Sequence, residues 1–386
     1  MGKSKVIETS VEAPLRNSES KRYRRCRQMW EWSYVENWKS DRVRGALVFG
    51  TGVHYALEIY YPPGTVRGPH PSGVFEKWFE ENDQDFSTWD DDGNRLDPLE
   101  LGIVMLEEYV KEYGEEDHIR ILAPEMPFQI PLYDKNGKFL RTYLGRGDAL
   151  YEDRSLSNKK KRRLGFLEHK TGKTIEEGLR VNSGYGDQAI RYAWAASIML
   201  RDMGIIGEHE NVDHTLMNWL KKTMPSEKFR HPQTGYTLNL PAKDALLSYA
   251  AVHGIIDRET GKPPKTGKRA AELIEATGFD SRELGEPSAN QPSPMLYRER
   301  IDFGEEPLAR TGWRLMAEAY EMGEVVKGNL PIYTNPTKDC SWECEFVDVC
   351  ELREMGEDWR GMLETEFYRG DPYEDYNMDI QREGEK

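Results

Sequence analysis

The feature that most constrains the fold is a series of short β-rich segments separated by turn residues. They span 126–133, 141–153 and 164–170, and alternation of this kind bounded by Gly, Asn, Asp and Ser is typical of strands. A strongly helical pattern at 184–203 follows, and a further strand pattern spans 213–222. The order of three strands, a helix and a strand predicts an α/β domain with a central sheet.

Helical patterns also flank this series of strands. They span 18–38, 47–60, 98–113 and 307–326, with shorter patches at 242–252 and 268–276 inside a polar stretch rich in Pro and Gly. We therefore divide the chain into a core at 18–222, a helical or irregular insertion or subdomain at 223–335, a cysteine-bearing segment at 336–352, and an acidic tail at 353–386.

The ends and the hydropathy of the chain predict a soluble, cytoplasmic protein. Its 386 residues are 38% hydrophobic and 31% charged, and no apolar run approaches the ~18 residues that a membrane span needs. The beginning, MGKSKVIETS, has no apolar signal segment. We expect no contact with a membrane.

The charge is strongly acidic overall but unevenly distributed. The net charge is −15, yet residues 1–45 hold 11 Lys and Arg against 6 Asp and Glu, whereas residues 76–117 hold 3 against 16. A second basic run, KKKRR, spans 159–163. Such runs are either solvated faces or contacts for a polyanion, and the sequence leaves both open.

Two acidic residues on neighbouring predicted strands carry the strongest chemical signal. Glu168 and Lys170 are two apart in LGFLEHKTG and therefore share one strand face, with His169 on the other. A hairpin would bring Asp148, in LGRGDALYED, beside Glu168. Two carboxylates at one point suit Mg²⁺ or Mn²⁺, and a lysine beside them suits metal-assisted phosphodiester hydrolysis.

Two helical pairs accompany these strands. His54 and Glu58 lie one turn apart in GTGVHYALE, and Gln188 and Tyr192 lie one turn apart in DQAIRYAWAA. Taken singly, each has an ordinary alternative: His54 as a helix histidine bonded to a backbone carbonyl, and Gln188 and Tyr192 as a helix packed on a sheet.

The ordered set of these motifs resembles the RecB-type nucleases of the PD-(D/E)XK superfamily. The matching elements are GxxxHxxLE at 50–58, GxD within GRGD at 145–148, ExK at 168–170 and QxxxY at 188–192. With the cysteines, the resemblance is to the iron–sulfur branch, which includes CRISPR-associated adaptation nucleases, AddB-like nuclease domains and phage-type exonucleases. It covers about residues 18–222 and 338–352.

The resemblance implies a fold, a cofactor set and residue roles. The fold would be a restriction-endonuclease-like core, a mixed sheet flanked by helices. His54, Asp148, Glu168 and the main-chain carbonyl of His169 would bind the metal, and Lys170 would position the attacking water. Gln188 and Tyr192 would order the site along DNA, with Glu58 in support.

Four cysteines form a separate group in the sequence. Cys340, Cys344 and Cys350 cluster near one end of the chain, and Cys26 lies more than 300 residues away. Four thiolates suit a zinc ion or an iron–sulfur cluster. The arrangement of one plus three resembles the 4Fe–4S staple of the AddB-like branch, although the first gap is three residues here and commonly two there. Zinc stays an alternative.

Together these features predict a metal-dependent DNA nuclease, an exonuclease acting on single strands or DNA ends in recombination, replication or repair, in a bacterial or phage-infected cell. The alternative is a DNA-binding recombination accessory protein that is catalytically silent or active only within an assembly. DNA is the expected partner, recombination or replication proteins are further candidates, and a homo-oligomer stays open. Aromatic and basic residues near Cys26, including Tyr23, Trp30 and Trp32, fit single-strand binding by stacking. They fit equally a helix packed on the core.

Overall fold

Helices precede and cover a central sheet. The computed structural model describes residues 14–40, 44–82, 88–89, 95–158, 161–172, 187–224, 229–289, 295–338 and 340–373. In chain order the elements are α1 (Asn17–Arg25), α2 (Arg27–Trp30), a π-helical turn (Glu31–Val35), β1 (Trp38–Lys39), α3 (Arg44–Tyr60), α4 (Pro71–Asn82), β2 (Thr88–Trp89), β3 (Arg95–Leu96), α5 (Pro98–Tyr113), β4 (Ile119–Tyr133), β5 (Phe139–Asp153), β6 (Leu164–Gly172), α6 (Asp187–Asp202), β7 (Val212–Lys221), α7 (Lys243–Val252), α8 (Gly267–Glu275), a 3₁₀ turn (Ser281–Leu284), β8 (Leu296–Asp302), α9 (Glu305–Val326), α10 (Cys340–Glu343), α11 (Val347–Met355), α12 (Trp359–Glu366) and β9 (Tyr368–Arg369).

The central sheet is mixed and has the order β4-β5-β6-β7-β8. The pairs β4–β5, β5–β6 and β7–β8 are antiparallel, and β6 and β7 run parallel. A parallel pair needs a long crossover, which α6 supplies. The predicted α/β fold, a central mixed sheet flanked by helices, is confirmed.

One face of the sheet is covered by α6 and α9. Their apolar side chains pack with those of β4, β5 and β6 into the largest described core cluster, which contains Phe128, Phe166, Ala193 and Leu315. The helices α3, α4 and α5 pack on one another, and α3 also contacts β5 and β6. The junction of α3 with β5 and β6 lies where the predicted site residues are.

Two glycines of the GRGD segment allow the aromatic packing on the sheet. A Cβ at Gly145 would lie 2.2 Å from the ring of Phe128, and a Cβ at Gly147 would lie 2.4 Å from the ring of Phe166. Neither position has room for a side chain, so the rings close over the backbone of β5 just before Asp148.

The two ends of the described chain meet beside the core. β1 pairs with β9 through Trp38 and Arg369, and a buried ion pair joins Glu19 of α1 to Arg141 of β5 at 2.8 Å. The hydroxyl of Tyr373 donates to the same glutamate at 2.6 Å. These contacts hold the N-terminal helices and the C-terminal segment in one unit with the sheet.

Residues Thr223–Met295 form a second compact unit. It contains α7, α8 and the 3₁₀ turn, and its apolar cluster is built on Leu246, Ala270 and Ile274.

The insertion expected at 223–335 is therefore shorter in the structure. Residues after Met295 return to the main unit as β8 and α9. The sequence of β8, LYRERID, has no apolar alternation because Arg298 and Arg300 form ion pairs with Glu116 and Asp153. A strand whose side chains are satisfied by ion pairs lacks the hydrophobic pattern by which strands are recognised.

Two further differences concern boundaries. The helix expected at 18–38 is interrupted at Cys26, whose backbone is extended, and continues as α2 and the π-helical turn. β4 begins at Ile119, seven residues before the expected strand. Proline at 124 and 127 argues against a strand interior, but β4 is an edge strand, where proline is tolerated.

Among the described residues, no helix combines the length and the apolar character needed to cross a bilayer.

Candidate functional site

Asp148 and Glu168 converge where β5 and β6 stop pairing. The last backbone pair is Ala149 with Leu167. Beyond this pair, carboxylate oxygens accept the backbone hydrogen bonds in place of main-chain carbonyls. The Asp148 N–H donates to Glu168 Oε1 at 3.3 Å, and the His169 N–H donates to Asp148 Oδ2 at 2.6 Å. The predicted approach of these two carboxylates is what the structure has.

His54, on α3, lies beside the Asp148 carboxylate. Its Nδ1 lies 3.3 Å from Asp148 Oδ2, and Nδ1 of His169 lies 3.4 Å from that oxygen. Gly50, one turn before His54, brings the helix close to β6, because a Cβ there would lie 3.2 Å from Thr171 Oγ1. Glu58 follows His54 by one turn and is half-buried.

Lys170 is the cation beside Glu168. Its Nζ lies 3.8 Å from Glu168 Oε2, and the Glu168 side chain is only 1% exposed. That oxygen is buried and accepts no hydrogen bond from the described residues. A buried, ionisable oxygen without a donor is costly for folding alone, and such groups occur at functional sites.

The two carboxylates have opposite electrostatic environments. Burial, reinforced by the negative charge of Asp148, raises the pKa of Glu168 well above its usual range. Burial acts in the same direction on Asp148, but the charge of His54 and the hydrogen bonds from His169 outweigh it and hold the Asp148 pKa well below its usual range. Burial also lowers the pKa of His169. Paired carboxylates with diverging pKa values are typical of catalytic sites.

The donor set fits a hard divalent cation. Two carboxylates and an imidazole are available, and Oε2 of Glu168 accepts no hydrogen bond from the described residues, with Lys170 Nζ beyond hydrogen-bond distance at 3.8 Å. Within the described ranges, no three His, Cys, Asp or Glu side chains are already grouped as a metal site. Nδ1 of His54 and Nδ1 of His169 both face Asp148 Oδ2.

Glu125 is a third carboxylate that sequence reasoning missed. It lies on β4 between the pairs Pro124–Ala149 and Met126–Gly147, and therefore opposite Asp148. Its φ of 44° is in the left-handed region, which is strained for a glutamate. Its carboxylate forms an ion pair with Arg146, and its charge also raises the pKa of Glu168. Acidic residues thus occupy facing positions on three adjacent strands.

A buried polar network behind the site was also missed. Tyr109 of α5 hydrogen-bonds to His169 Nε2 at 3.0 Å and to the hydroxyl of Tyr61 at 2.8 Å. Arg298 of β8 donates to the Tyr109 hydroxyl at 3.1 Å and to Asn218 Oδ1, and Asn218 Nδ2 donates to the Glu168 carbonyl at 3.3 Å. The sequence signal is Asn218 inside the strand predicted at 213–222, because nothing in the local pattern places Arg298 on a strand.

The QxxxY pair lies on α6, away from the described contacts of the carboxylates. Tyr192 is 8% exposed, and its ring packs against Phe128 at 4.9 Å and Phe166 at 6.5 Å between ring centroids. Gln188 is partly exposed one turn earlier. The contacts of Tyr192 are those of a helix packed on the sheet.

Three of the four cysteines lie around one apolar cluster. Cys26, Cys344 and Cys350 pack against the cluster of Met29, Trp32 and Phe346 and their neighbours. Cys340 accepts a hydrogen bond from the Thr337 N–H at 3.3 Å, and its charge contributes to raising the pKa of Cys344 and Cys350 after the larger effect of burial. The thiol donors from both ends of the chain therefore share one neighbourhood.

The aromatic residues near Cys26 are buried rather than available for stacking on DNA. Tyr23, Trp30 and Trp32 are 4%, 2% and 1% exposed, and Tyr23 packs edge-on against Trp30 at 5.1 Å. The arginines beside them pair with acidic residues later in the chain, as Arg22 does with Glu345. Of the two interpretations of this segment, the packed helix is the one observed.

The second basic run is also neutralised where it is described. Arg162 pairs with Glu152 at 3.5 Å, and Arg163 pairs with Asp213 at 2.8 Å. Residues 159 and 160 lie outside the described part of the chain.

No protein-family model matches the chain, and no curated protein sequence matches it closely enough to indicate a family.

Proposed function

We propose that the protein is a metal-dependent deoxyribonuclease, acting as an exonuclease on single-stranded DNA or DNA ends. The observation that carries the proposal is the convergence of Asp148, Glu168 and His54, with Lys170 beside Glu168. This is the donor set and cation that the sequence resemblance to RecB-type nucleases requires.

The chemistry divides two tasks, metal binding and the positioning of water, among these groups. Asp148, Glu168, His54 and the carbonyl of His169 would hold Mg²⁺ or Mn²⁺, which when bound lowers the pKa of water and shields charge on a phosphate. Lys170 donates hydrogen bonds, orienting a water near Glu168 and stabilising negative charge on the scissile phosphate. Burial of Glu168 excludes bulk water and strengthens these electrostatic interactions.

The test is cleavage of end-labelled single- and double-stranded DNA by Asp148→Ala and Lys170→Ala. Both substitutions are expected to abolish cleavage while the unfolding transition stays cooperative. Lys138→Ala, at an exposed turn between β4 and β5, is the matched control and should cleave like the wild type. Substantial cleavage by both site variants would refute the assignment.

We infer further that the four cysteines hold a 4Fe–4S cluster, with zinc as the alternative. The apolar neighbourhood shared by Cys26, Cys344 and Cys350, together with the effect of the Cys340 charge on two of them, supports a single four-thiolate site. Anaerobically purified protein is expected to absorb near ~400 nm, as thiolate-ligated clusters do. A colourless, active protein containing one equivalent of zinc would support the alternative. A coloured protein that binds DNA and never cuts it would favour an accessory role in recombination.

A further inference from the structure

We propose that Arg298 is a positioning residue for the candidate nuclease site, and that it acts through Asn218 and Tyr109. The inference rests on the proposed function and extends it to residues outside the catalytic motifs. Arg298 lies on β8, two strands away from Glu168 on β6.

A row of polar side chains crosses the sheet from β6 to β8. His169 pairs with Asn218, and Asn218 pairs with Arg298 in the strand register. All three are deeply placed, with His169 2% and Asn218 1% exposed and the Arg298 side chain 10% exposed. Buried polar groups in such a row are costly unless each is satisfied.

Arg298 connects to β6 by two separate routes. Its Nε donates to Asn218 Oδ1, and Asn218 Nδ2 donates to the carbonyl of Glu168. The planar guanidinium therefore fixes the orientation of the Asn218 amide, so that its NH₂ group is directed at the main chain of the ExK motif.

The second route runs through Tyr109 to the ring of His169. Nη2 of Arg298 donates to the Tyr109 hydroxyl at 3.1 Å, and that hydroxyl hydrogen-bonds to His169 Nε2 at 3.0 Å. The other ring nitrogen of His169 lies 3.4 Å from Asp148 Oδ2. The ring is thus held between Tyr109 and the Asp148 carboxylate.

The remaining donors of Arg298 anchor it in place. Nη1 pairs with Glu116, and the guanidinium lies 3.6 Å from the ring centroid of Tyr113. Tyr61 completes the network by hydrogen-bonding to Tyr109. One side chain with fixed geometry therefore orients both a main-chain carbonyl at Glu168 and a ring beside Asp148, which is how outer-sphere residues tune metal sites.

The test compares Tyr109→Phe with Tyr113→Phe. The first removes the hydroxyl that links Arg298 to His169, and with it the hydrogen bond of Tyr61 to that hydroxyl. The second retains the ring over Arg298 and removes a hydroxyl that makes no hydrogen bond within the described residues. We expect Tyr109→Phe to raise the Mg²⁺ concentration for half-maximal cleavage about 10–100-fold, with rescue at high Mg²⁺, and Tyr113→Phe to behave like the wild type.

A second variant and a second readout keep the test decisive. Arg298→Lys retains the charge but not the planar set of donors. It is expected to raise the Mg²⁺ requirement as well, and it replaces Tyr109→Phe as the test if that variant does not fold. Mn²⁺ binding to the full chain without DNA should weaken in both variants.

The outcomes separate this inference from the proposed function. Unchanged metal dependence in Tyr109→Phe or, if that variant does not fold, in Arg298→Lys would overturn the positioning role while leaving the nuclease assignment intact. If the wild type binds Mn²⁺ and never cleaves DNA, weaker Mn²⁺ binding by the variants would still support the positioning role. A wild type that neither cleaves DNA nor binds Mn²⁺ would overturn both.

Discussion

The Glu168 carboxylate is expected to destabilise the metal-free protein, so that Glu168→Gln gives a more stable fold. Asp148 and Glu168 face each other on adjacent strands about 4.8 Å apart, and two negative charges at that distance repel by about 3 kcal/mol at an effective dielectric constant of about 20. Loss of the Lys170 ion pair, with the Lys170 side chain 31% exposed, offsets about 1 kcal/mol of this gain. The expected net gain is about 2 kcal/mol, because glutamine retains an oxygen for the Asp148 N–H.

The gain should depend on pH in a defined direction. Burial and the charge of Asp148 raise the Glu168 pKa well above its ordinary value of 4.5. Between that value and the raised pKa, the folded wild type binds a proton that the unfolded chain has released, so wild-type stability falls as the pH rises. The variant does not titrate there. The difference should be near zero at about pH 4.5 and larger at about pH 8.

The assay is urea unfolding in EDTA at both pH values, followed by circular dichroism. Glu107→Gln, on the exposed side of α5, is the control and should stay within about 0.5 kcal/mol of the wild type at both pH values. A Glu168→Gln protein less stable than the wild type at about pH 8 would refute the reasoning, since the carboxylate would then support the fold rather than a ligand.

Three further predictions follow from the same geometry. Gly147→Ala places a Cβ 2.4 Å from the ring of Phe166 and should lower the free energy of unfolding, measured in urea, by about 1–3 kcal/mol. Gly73→Ala is the control, with no described atom within 4 Å of the new Cβ, and should raise the free energy of unfolding by about 0.5–1 kcal/mol. Equal effects would contradict the packing argument. Glu125→Gln should lower the rate of DNA cleavage by about 10–100-fold with a cooperative unfolding transition retained, and a wild-type rate would remove Glu125 from the site. Cys344→Ala should lose the absorbance at ~400 nm and unfold at lower urea, because ligand loss removes binding free energy from folding; an unchanged spectrum would rule out Cys344 as a ligand of the cluster.

The sequence predicted the elements of this fold well where apolar periodicity was strong. The helices at 44–60, 98–113 and 187–202 and the strands at 139–153 and 164–172 lie within a few residues of their expected bounds. Periodicity records which face of an element meets the core, and these elements all have one apolar face on the sheet or on a helix.

The elements that were missed have side chains satisfied by partners distant in sequence. β8 carries alternating charges because Arg298 pairs with Glu116, 182 residues earlier. Glu125 was passed over because two prolines surround it, and nothing local reveals that β4 is an edge strand. Pairings of this kind depend on tertiary contacts, which a single sequence does not encode in its local pattern.

For the candidate site, spacing was sufficient to bring Asp148 and Glu168 together, since a hairpin register follows from two strands and one turn. It could not supply the histidine and tyrosine contacts behind them. Tyr192 shows that spacing alone does not identify a site residue. The i, i+4 spacing of Gln188 and Tyr192 fits a site residue, and it fits equally the core contact with Phe128 that the structure contains.

The most direct test of the central claim is cleavage of end-labelled DNA by the anaerobically purified wild-type protein, with Mg²⁺ or Mn²⁺ and with EDTA. The arrangement of Asp148, Glu168, His54 and Lys170 predicts progressive shortening of single strands or duplex ends in the presence of either metal and none in EDTA. Intact DNA under every metal condition, from a folded protein that binds the same DNA, would contradict it.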